Sequence, residues 1–123
     1  MKGKVLIVDD ERLNVEVLGR FLTGAGYDVF SAGSAEEALA LAEKEQLDAI
    51  LLDNVLPGMT GLQAIAGLMK RSKAAIILMT GDDGQSTRED ALLLGARGFL
   101  GKPIDFKQLD AELQKAIGRA PAA

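Results

Sequence analysis

The 123-residue chain contains no cysteine and no histidine, and its aromatics amount to four phenylalanines and one tyrosine. Without cysteine there are no disulfides, thiolate nucleophiles or iron–sulfur ligands. Without histidine there is no imidazole base, imidazole metal ligand or phosphohistidine. Any reactive group is therefore a carboxylate, a hydroxyl or an amine. Long apolar runs are missing as well. The longest, Ala74 to Met79, falls far short of the ~18 residues a membrane span needs. The opening Met1-Lys2-Gly3-Lys4 leads into a strand rather than a signal-peptide core, so the expected location is cytoplasmic, away from membranes. Basic residues are in deficit, 14 against 18 acidic, for a net charge of −4. That balance gives no electrostatic ground for direct nucleic-acid binding.

What the chain does have is an average share of hydrophobic (48%) and charged (26%) residues, enough to bury one core in one domain. Val5-Leu6-Ile7-Val8 reads as a strand buried on both faces. Leu13, Val17 and Phe21, flanked by Leu18, describe an amphipathic helix ending near Gly24 and Gly26. Tyr27 to Ala32 fits a second strand, and Ser34-Ala35-Glu36-Glu37 has the form of a capping box ahead of Ala35, Ala38, Leu39 and Ala42. The alternation repeats with Ala49–Leu52 before Leu62, Ile65, Ala66 and Met69, and with Ala75–Thr80 before a helix over Thr87–Leu94. Gly98–Gly101 then precedes Phe106, Leu109, Leu113 and Ile117. Five strand–helix repeats without a composition break predict one folded unit over residues 1–118, with 119–123 a tail or linker stump. Strands alternating with long helices require a mostly parallel, doubly wound α/β sheet with helices on both faces.

Such sheets bind ligands at the carboxyl ends of their strands. Four of those ends carry polar groups: Asp9 and Asp10, Asp53, Thr80, and Lys102 with Pro103. Each alone is ordinary, since acids leave strands as turn formers and lysine is usually solvated. Three carboxylates, a hydroxyl and an ammonium converging on one rim are not ordinary decoration. Like charges there repel by about 4 kcal/mol per pair at 4 Å and an effective dielectric near 20. Lys102 offsets one charge, and a divalent ion with oxygen ligands, Mg²⁺ by preference, offsets the remaining two. Without it, one carboxyl should titrate high. With it, a dianionic phosphoryl group can approach and one carboxylate can attack phosphorus while Lys102 and the Thr80 hydroxyl hold its oxygens. Bare geometry does not say which aspartate is the nucleophile; Asp53, on a central strand and apart from the Asp9-Asp10 pair, is the natural candidate.

At these residues the chain resembles the receiver domain of two-component response regulators over essentially Lys4 to Gly118. The resemblance rests on Val8-Asp9-Asp10-Glu11, on Leu51-Leu52-Asp53-x-x-Leu56-Pro57-Gly58-Met59-x-Gly61, on Met79-Thr80-Gly81, and on Gly98-Phe99-Leu100-Gly101-Lys102-Pro103. It implies a flavodoxin-like five-stranded sheet in the order 2-1-3-4-5 and Asp53 as phosphoacceptor. It implies Mg²⁺, with Mn²⁺ an alternative, held by Asp10, Asp53 and the Val55 carbonyl, with Asp9 nearby through water. Thr80 and Lys102 would sense the phosphoryl group and Phe99 would report the state by its rotamer. The Lys102-Pro103 peptide is one that is often cis in this family, the X–Pro case in which that isomer is accessible. The implied function is a signalling switch rather than a turnover enzyme. It takes phosphoryl from the phosphohistidine of a sensor kinase or histidine phosphotransfer protein and acts on a downstream partner or output domain.

Phe99 replaces the more usual tyrosine of this family, so the ring switches by packing alone. Val55 and Asp82 stand where the family modulates dephosphorylation. Leu92-Leu93-Leu94 spans about 200° of its helix at 100° per residue, so the three cannot all face the core. One is a candidate for a partner or homodimer surface on the face of the fourth and fifth helices. Lys70, Arg71 and Lys73 complement the carbonyl end of the third helix. Gly58, Gly61, Gly81 and Gly84 suit flexible loops around a site, without a phosphate-loop motif. Two rival functions are a phosphatase of the haloacid-dehalogenase type and a phosphorylation-independent interaction module. The first is disfavoured by adjacent Asp9-Asp10 in place of Asp-x-Asp and by a chain too short for a cap.

Overall fold

The computed structural model describes residues 2–81 and 85–117. In chain order the elements are β1 (Lys4–Val8), α1 (Arg12–Gly24), β2 (Asp28–Ala32), α2 (Ala35–Lys44), β3 (Ala49–Asp53), α3 (Gly61–Arg71), β4 (Ala75–Thr80), α4 (Gln85–Leu94), β5 (Gly98–Gly101) and α5 (Phe106–Ile117). The five strands form one parallel sheet in the order β2-β1-β3-β4-β5, the expected doubly wound topology. The expected tail, 119–123, and Asp82 and Gly84 lie outside the described residues.

Period-two alternation divides the core between the two sheet faces. Leu6, Val8, Ile50, Leu52, Ile76 and Leu78 face one way and meet α2, α3 and Ala91 of α4. Val5, Ile7, Ala49, Leu51, Ile77 and Met79 face the other and meet Leu18 and Leu22 of α1 and Leu109 and Leu113 of α5. The central strands are buried on both faces, as a parallel sheet covered by helices requires.

Several helices are rotated from the expected register. In α1 the core is met by Leu18 and Leu22, while Leu13 is 71% and Val17 45% exposed. The core stripe of α3 is Gly61, Ala64, Ile65 and Leu68, leaving Met69 half exposed. In α4 none of Leu92, Leu93 and Leu94 faces the core, whose contact is the small Ala91. Tyr27 does not open β2. Its amide donates to the Leu22 carbonyl and so closes α1.

At α2, Glu37 N–H donates to Ser34 Oγ, but the Glu37 carboxylate accepts from Gly33 rather than from the cap residue itself. The full reciprocal box is at α3, where Thr60 and Gln63 satisfy each other's amides. Arg71, at the end of α3, donates to the Gly67 carbonyl and pairs with Glu43, the structural role expected of that basic run.

Candidate functional site

The parallel register brings the strand ends to one edge. Val8 lies beside Leu52, Asp53 beside Met79, and Thr80 beside Gly101, so the residues that leave or end β1, β3, β4 and β5 share one rim. The loop that carries Asp53 into α3 is tied down on both sides. Asn54 N–H donates to the Met79 carbonyl, the Asn54 carbonyl accepts from Gly61 N–H at 2.8 Å, and Asn54 Oδ1 accepts from Leu62 N–H. Gly61 is less a flexible loop residue than the buried start of α3, where a Cβ would stand 2.5 Å from the Asp53 carbonyl oxygen. Gly58, at φ +80°, takes the turn between them.

Lys102, from the end of β5, reaches across this rim. Its Nζ lies 3.1 Å from Asp53 Oδ1 and 3.3 Å from Asp9 Oδ2. The Asp53 side chain is 7% exposed and that of Asp9 not at all. Asp9 also accepts from the Glu11 amide at 3.0 Å and from Asn14 Nδ2 at 3.4 Å, and Asn14 is held in turn by Glu11. Asp10 is exposed, yet it offers a carboxylate oxygen within a group whose Asp9, Asp10 and Asp53 oxygens all lie within 4.8 Å of one another. Three carboxylates so spaced have the donor chemistry of a hard-cation site. Thr80 is buried at the end of β4, its carbonyl accepting from Lys102 N–H. The Lys102-Pro103 peptide is cis, as expected. Val55 turns its side chain outward, 72% exposed, and its amide hydrogen-bonds the Asp53 carboxylate.

The Asp53 carboxyl titrates above its ordinary value, but repulsion is not the first cause. Burial raises it most, the Lys102 hydrogen bond pulls it back, and the charge of Asp9 raises it again. For Lys102, burial acts to lower the pKa, and the two carboxylates together overcome it, so the ammonium is held more firmly than usual. The rim is therefore an anionic pocket with one fixed cation, Lys102, whose carboxylates suit a divalent ion.

The sequence motifs located Asp9, Asp10, Asp53, Thr80 and Lys102 at this rim, and the fold assembles them there. Phe99, on β5, is partly buried on the sheet face that carries Leu78. Sequence reasoning missed Asn14, Asn54 and the direct Lys102–Asp9 contact. It also missed a groove of about 470 Å³ beside Asp9 and Lys102, lined by Leu13, Val17, Ile104 and Phe106. The signal was Leu13 and Val17, apolar positions of α1 that the core leaves exposed.

Residues 5–114 match the family model described as response regulator receiver domain. Among curated relatives, a probable transcriptional regulator, ycf27, of Porphyridium aerugineum is 34% identical over 99% of this chain. The chain spans about half, 51%, of that relative's length. Among solved structures, a response regulator protein from Burkholderia pseudomallei, with a phosphorylated aspartic acid, a calcium ion and citrate, superposes with a TM-score of 0.85. It is 34% identical, over 90% of this chain and 66% of that one. The receiver domain of the sensor histidine kinase PA1611 from Pseudomonas aeruginosa, with magnesium coordinated in its active-site cleft, gives 0.84 at 30% identity, over 95% and 98%.

Proposed function

Because the chain belongs to the response regulator receiver domain family, we propose that it is a phosphorylation switch whose acceptor is Asp53. One Asp53 oxygen attacks the phosphorus of a partner's phosphohistidine, the P–N bond breaks, and the imidazole leaves with its electron pair. The observation that carries this reading is a buried carboxylate at the centre of the rim, ion-paired to Lys102 at 3.1 Å. Lys102 then exchanges part of its contact with Asp53 for a phosphoryl oxygen, and the Thr80 hydroxyl donates to another. Phe99, on the same sheet face, follows Thr80 inward and carries the change to the surface of α4, β5 and α5.

The carboxylate cluster fits a divalent cation. Asp10, Asp53 and the Val55 carbonyl would hold it, with Asp9 reached through water, and Mg²⁺ or Mn²⁺ suits oxygen ligands. When bound, such an ion neutralises carboxylate charge and stabilises the charge on phosphoryl oxygens.

The partners that follow are a sensor histidine kinase or a histidine phosphotransfer protein as donor, and a downstream protein or output domain as receiver of the signal. Donor docking falls on the groove that opens at Asp9 and Lys102, whose walls Leu13, Val17 and Phe106 are apolar and exposed. The exposed Leu92 and Leu93 suit a second copy meeting the face of α4 and α5. No described helix is long and apolar enough to cross a membrane, and the proposed location is the cytoplasm. Residues 1–118 make up the receiver unit, which acts by its own phosphorylation state rather than by turnover.

Incubation with Mg²⁺ and acetyl phosphate, followed by intact mass, tests the reading. A mass gain of one phosphoryl group that disappears in Asp53→Ala is expected. No gain, or a gain that survives the substitution, overturns it. Steady turnover of a free phosphomonoester would favour a phosphatase instead.

A further inference from the structure

On β4 and β5, Leu78 stands opposite Phe99 and Thr80 opposite Gly101. Alternate residues of a strand share a face. Thr80 therefore shares the face of Ile76 and Leu78, and Phe99 packs against that same cluster. The two are diagonal neighbours beneath α4. The Phe99 ring is only partly buried, and the guanidinium carbon of Arg88, on α4, lies over it at 5.8 Å from the ring centroid. Ring and guanidinium together line a surface cavity of about 340 Å³, with Leu92, Arg97, Glu112 and Lys115 around them.

We propose that Arg88 is a positioning residue for the switch: stacked on Phe99, it holds the ring at the surface and so opposes the conformation that accepts a phosphoryl group at Asp53. This rests on the reading of Phe99 given above. Phenylalanine has no hydroxyl to anchor it outside, so the polar attraction available to its ring is the cation over its face. Inward movement toward Thr80 draws the ring away from a guanidinium carried on another element. Among the described residues of α4, the small Ala91 is the one buried, while Leu92, Leu93 and Leu94 are exposed, so little apolar bulk opposes a shift of that face. The contact thus couples ring position to helix position. A cation over an exposed ring biases an equilibrium about two- to fivefold. While the competent fraction is small, apparent affinity for a phosphoryl mimic scales with it.

Fluorine NMR on protein labelled with 4-fluorophenylalanine, titrated with beryllofluoride and Mg²⁺, tests the proposal. Loss of one resonance in Phe99→Leu assigns the ring. In the wild type that resonance should shift on saturation. In Arg88→Gln the unliganded resonance should already be displaced toward the saturated position, and beryllofluoride affinity should rise about two- to fivefold, with Arg88→Lys between. The sign is diagnostic, because removing a positive charge from a domain that binds an anion would otherwise weaken binding. In the Phe99→Leu background, Arg88→Gln should not raise the affinity. If the Phe99 resonance ignores beryllofluoride, Phe99 is not the reporter and Arg88 has nothing to hold. If it responds while Arg88→Gln leaves the free resonance and affinity in place, weakens binding, or acts equally without the ring, the role of Arg88 is overturned and that of Phe99 stands.

Discussion

The Lys102 ammonium lies 3.1 Å from the Asp53 carboxylate, yet that carboxyl still titrates above the ordinary aspartate range. One cation, shared with Asp9, does not compensate for burying the Asp53 carboxylate. The folded protein therefore binds the Asp53 proton more tightly than the unfolded chain, and stability falls as pH rises from the unfolded pKa, near 3.8, through the folded one. At neutral pH the ionised Asp53 is a cost to the fold.

From this it follows that Asp53→Asn raises the urea midpoint in the presence of a chelator at pH 7. Mg²⁺ should reverse the order of the two proteins. At 100 times its dissociation constant, a ligand of the native state alone adds about 2.7 kcal/mol. The wild type should gain that increment and the variant should lose most of it. A chelated Asp53→Asn less stable than the wild type would show that pairing with Lys102 outweighs burial.

Gly61→Ala should disturb Asp53, the proposed acceptor, from behind. The added Cβ would stand 2.5 Å from the Asp53 carbonyl oxygen and 2.9 Å from Asn54 Cα, both backbone atoms that no rotamer change can clear. Forced overpacking of this kind costs about 1–3 kcal/mol, and the shift falls on the backbone of the proposed acceptor. Urea denaturation should show the loss, and phosphorylation by acetyl phosphate should slow. Gly24→Ala, at the open end of α1 with nothing within 4 Å of the new methyl, is the control expected to be neutral or slightly stabilising.

The sheet was legible because a parallel strand buried on both faces is a short β-branched run, and Val5–Val8 and Ala75–Met79 offer nothing else. The rim was legible because its side chains sit at the last strand positions or just beyond. Helix faces were harder. Along α1, Leu13 and Val17 continue the four-residue spacing of Phe21 as regularly as Val15, Leu18 and Leu22 make their own stripe, and only packing against Ile7, Leu51 and α5 keeps Phe21 with the second set and leaves Leu13 and Val17 exposed. Gly61 could not be separated from ordinary loop glycines by its neighbours in sequence, because its constraint comes from the backbone of Asp53 and Asn54. Thr60 and Gln63, by contrast, carried a capping-box signature open to reading.

Tyr27 provides a titration that nothing else in the chain obscures, since it is the sole tyrosine and there is no tryptophan. Its hydroxyl donates to Asp110 Oδ1 at 3.3 Å, and burial first, then the Asp110 charge, pushes its pKa up to about 12. The folded state keeps this proton after the unfolded chain has lost it. Its contribution to stability is therefore full below pH 10 and lost as pH rises toward 12. Phenolate absorbance should show a midpoint near 12, and Tyr27→Phe should flatten the fall in stability above pH 10. Asp110→Asn should lower the midpoint yet leave it above the ordinary tyrosine value, because burial, the largest single cause, remains.

Leu13 and Val17 separate a docking surface from a core. Both are exposed, 71% and 45%, and both line the groove that opens on Asp9 and Lys102. Serine at either position should change stability by no more than about 0.5 kcal/mol, the scale of surface substitutions. The rate with acetyl phosphate should be unchanged, since a small donor needs no groove. Transfer from a phosphorylated histidine protein should fall, because fully burying a Val or Leu side chain contributes about 1.5–3 kcal/mol relative to leaving it exposed. The double variant Leu13→Ser with Val17→Ser should then slow protein-to-protein transfer by at least about tenfold, with the effect in the concentration dependence rather than in the saturated rate. Had the periodic stripe been the core face, the same changes would cost about 2–5 kcal/mol of stability, and the small-donor reaction would fail along with the large.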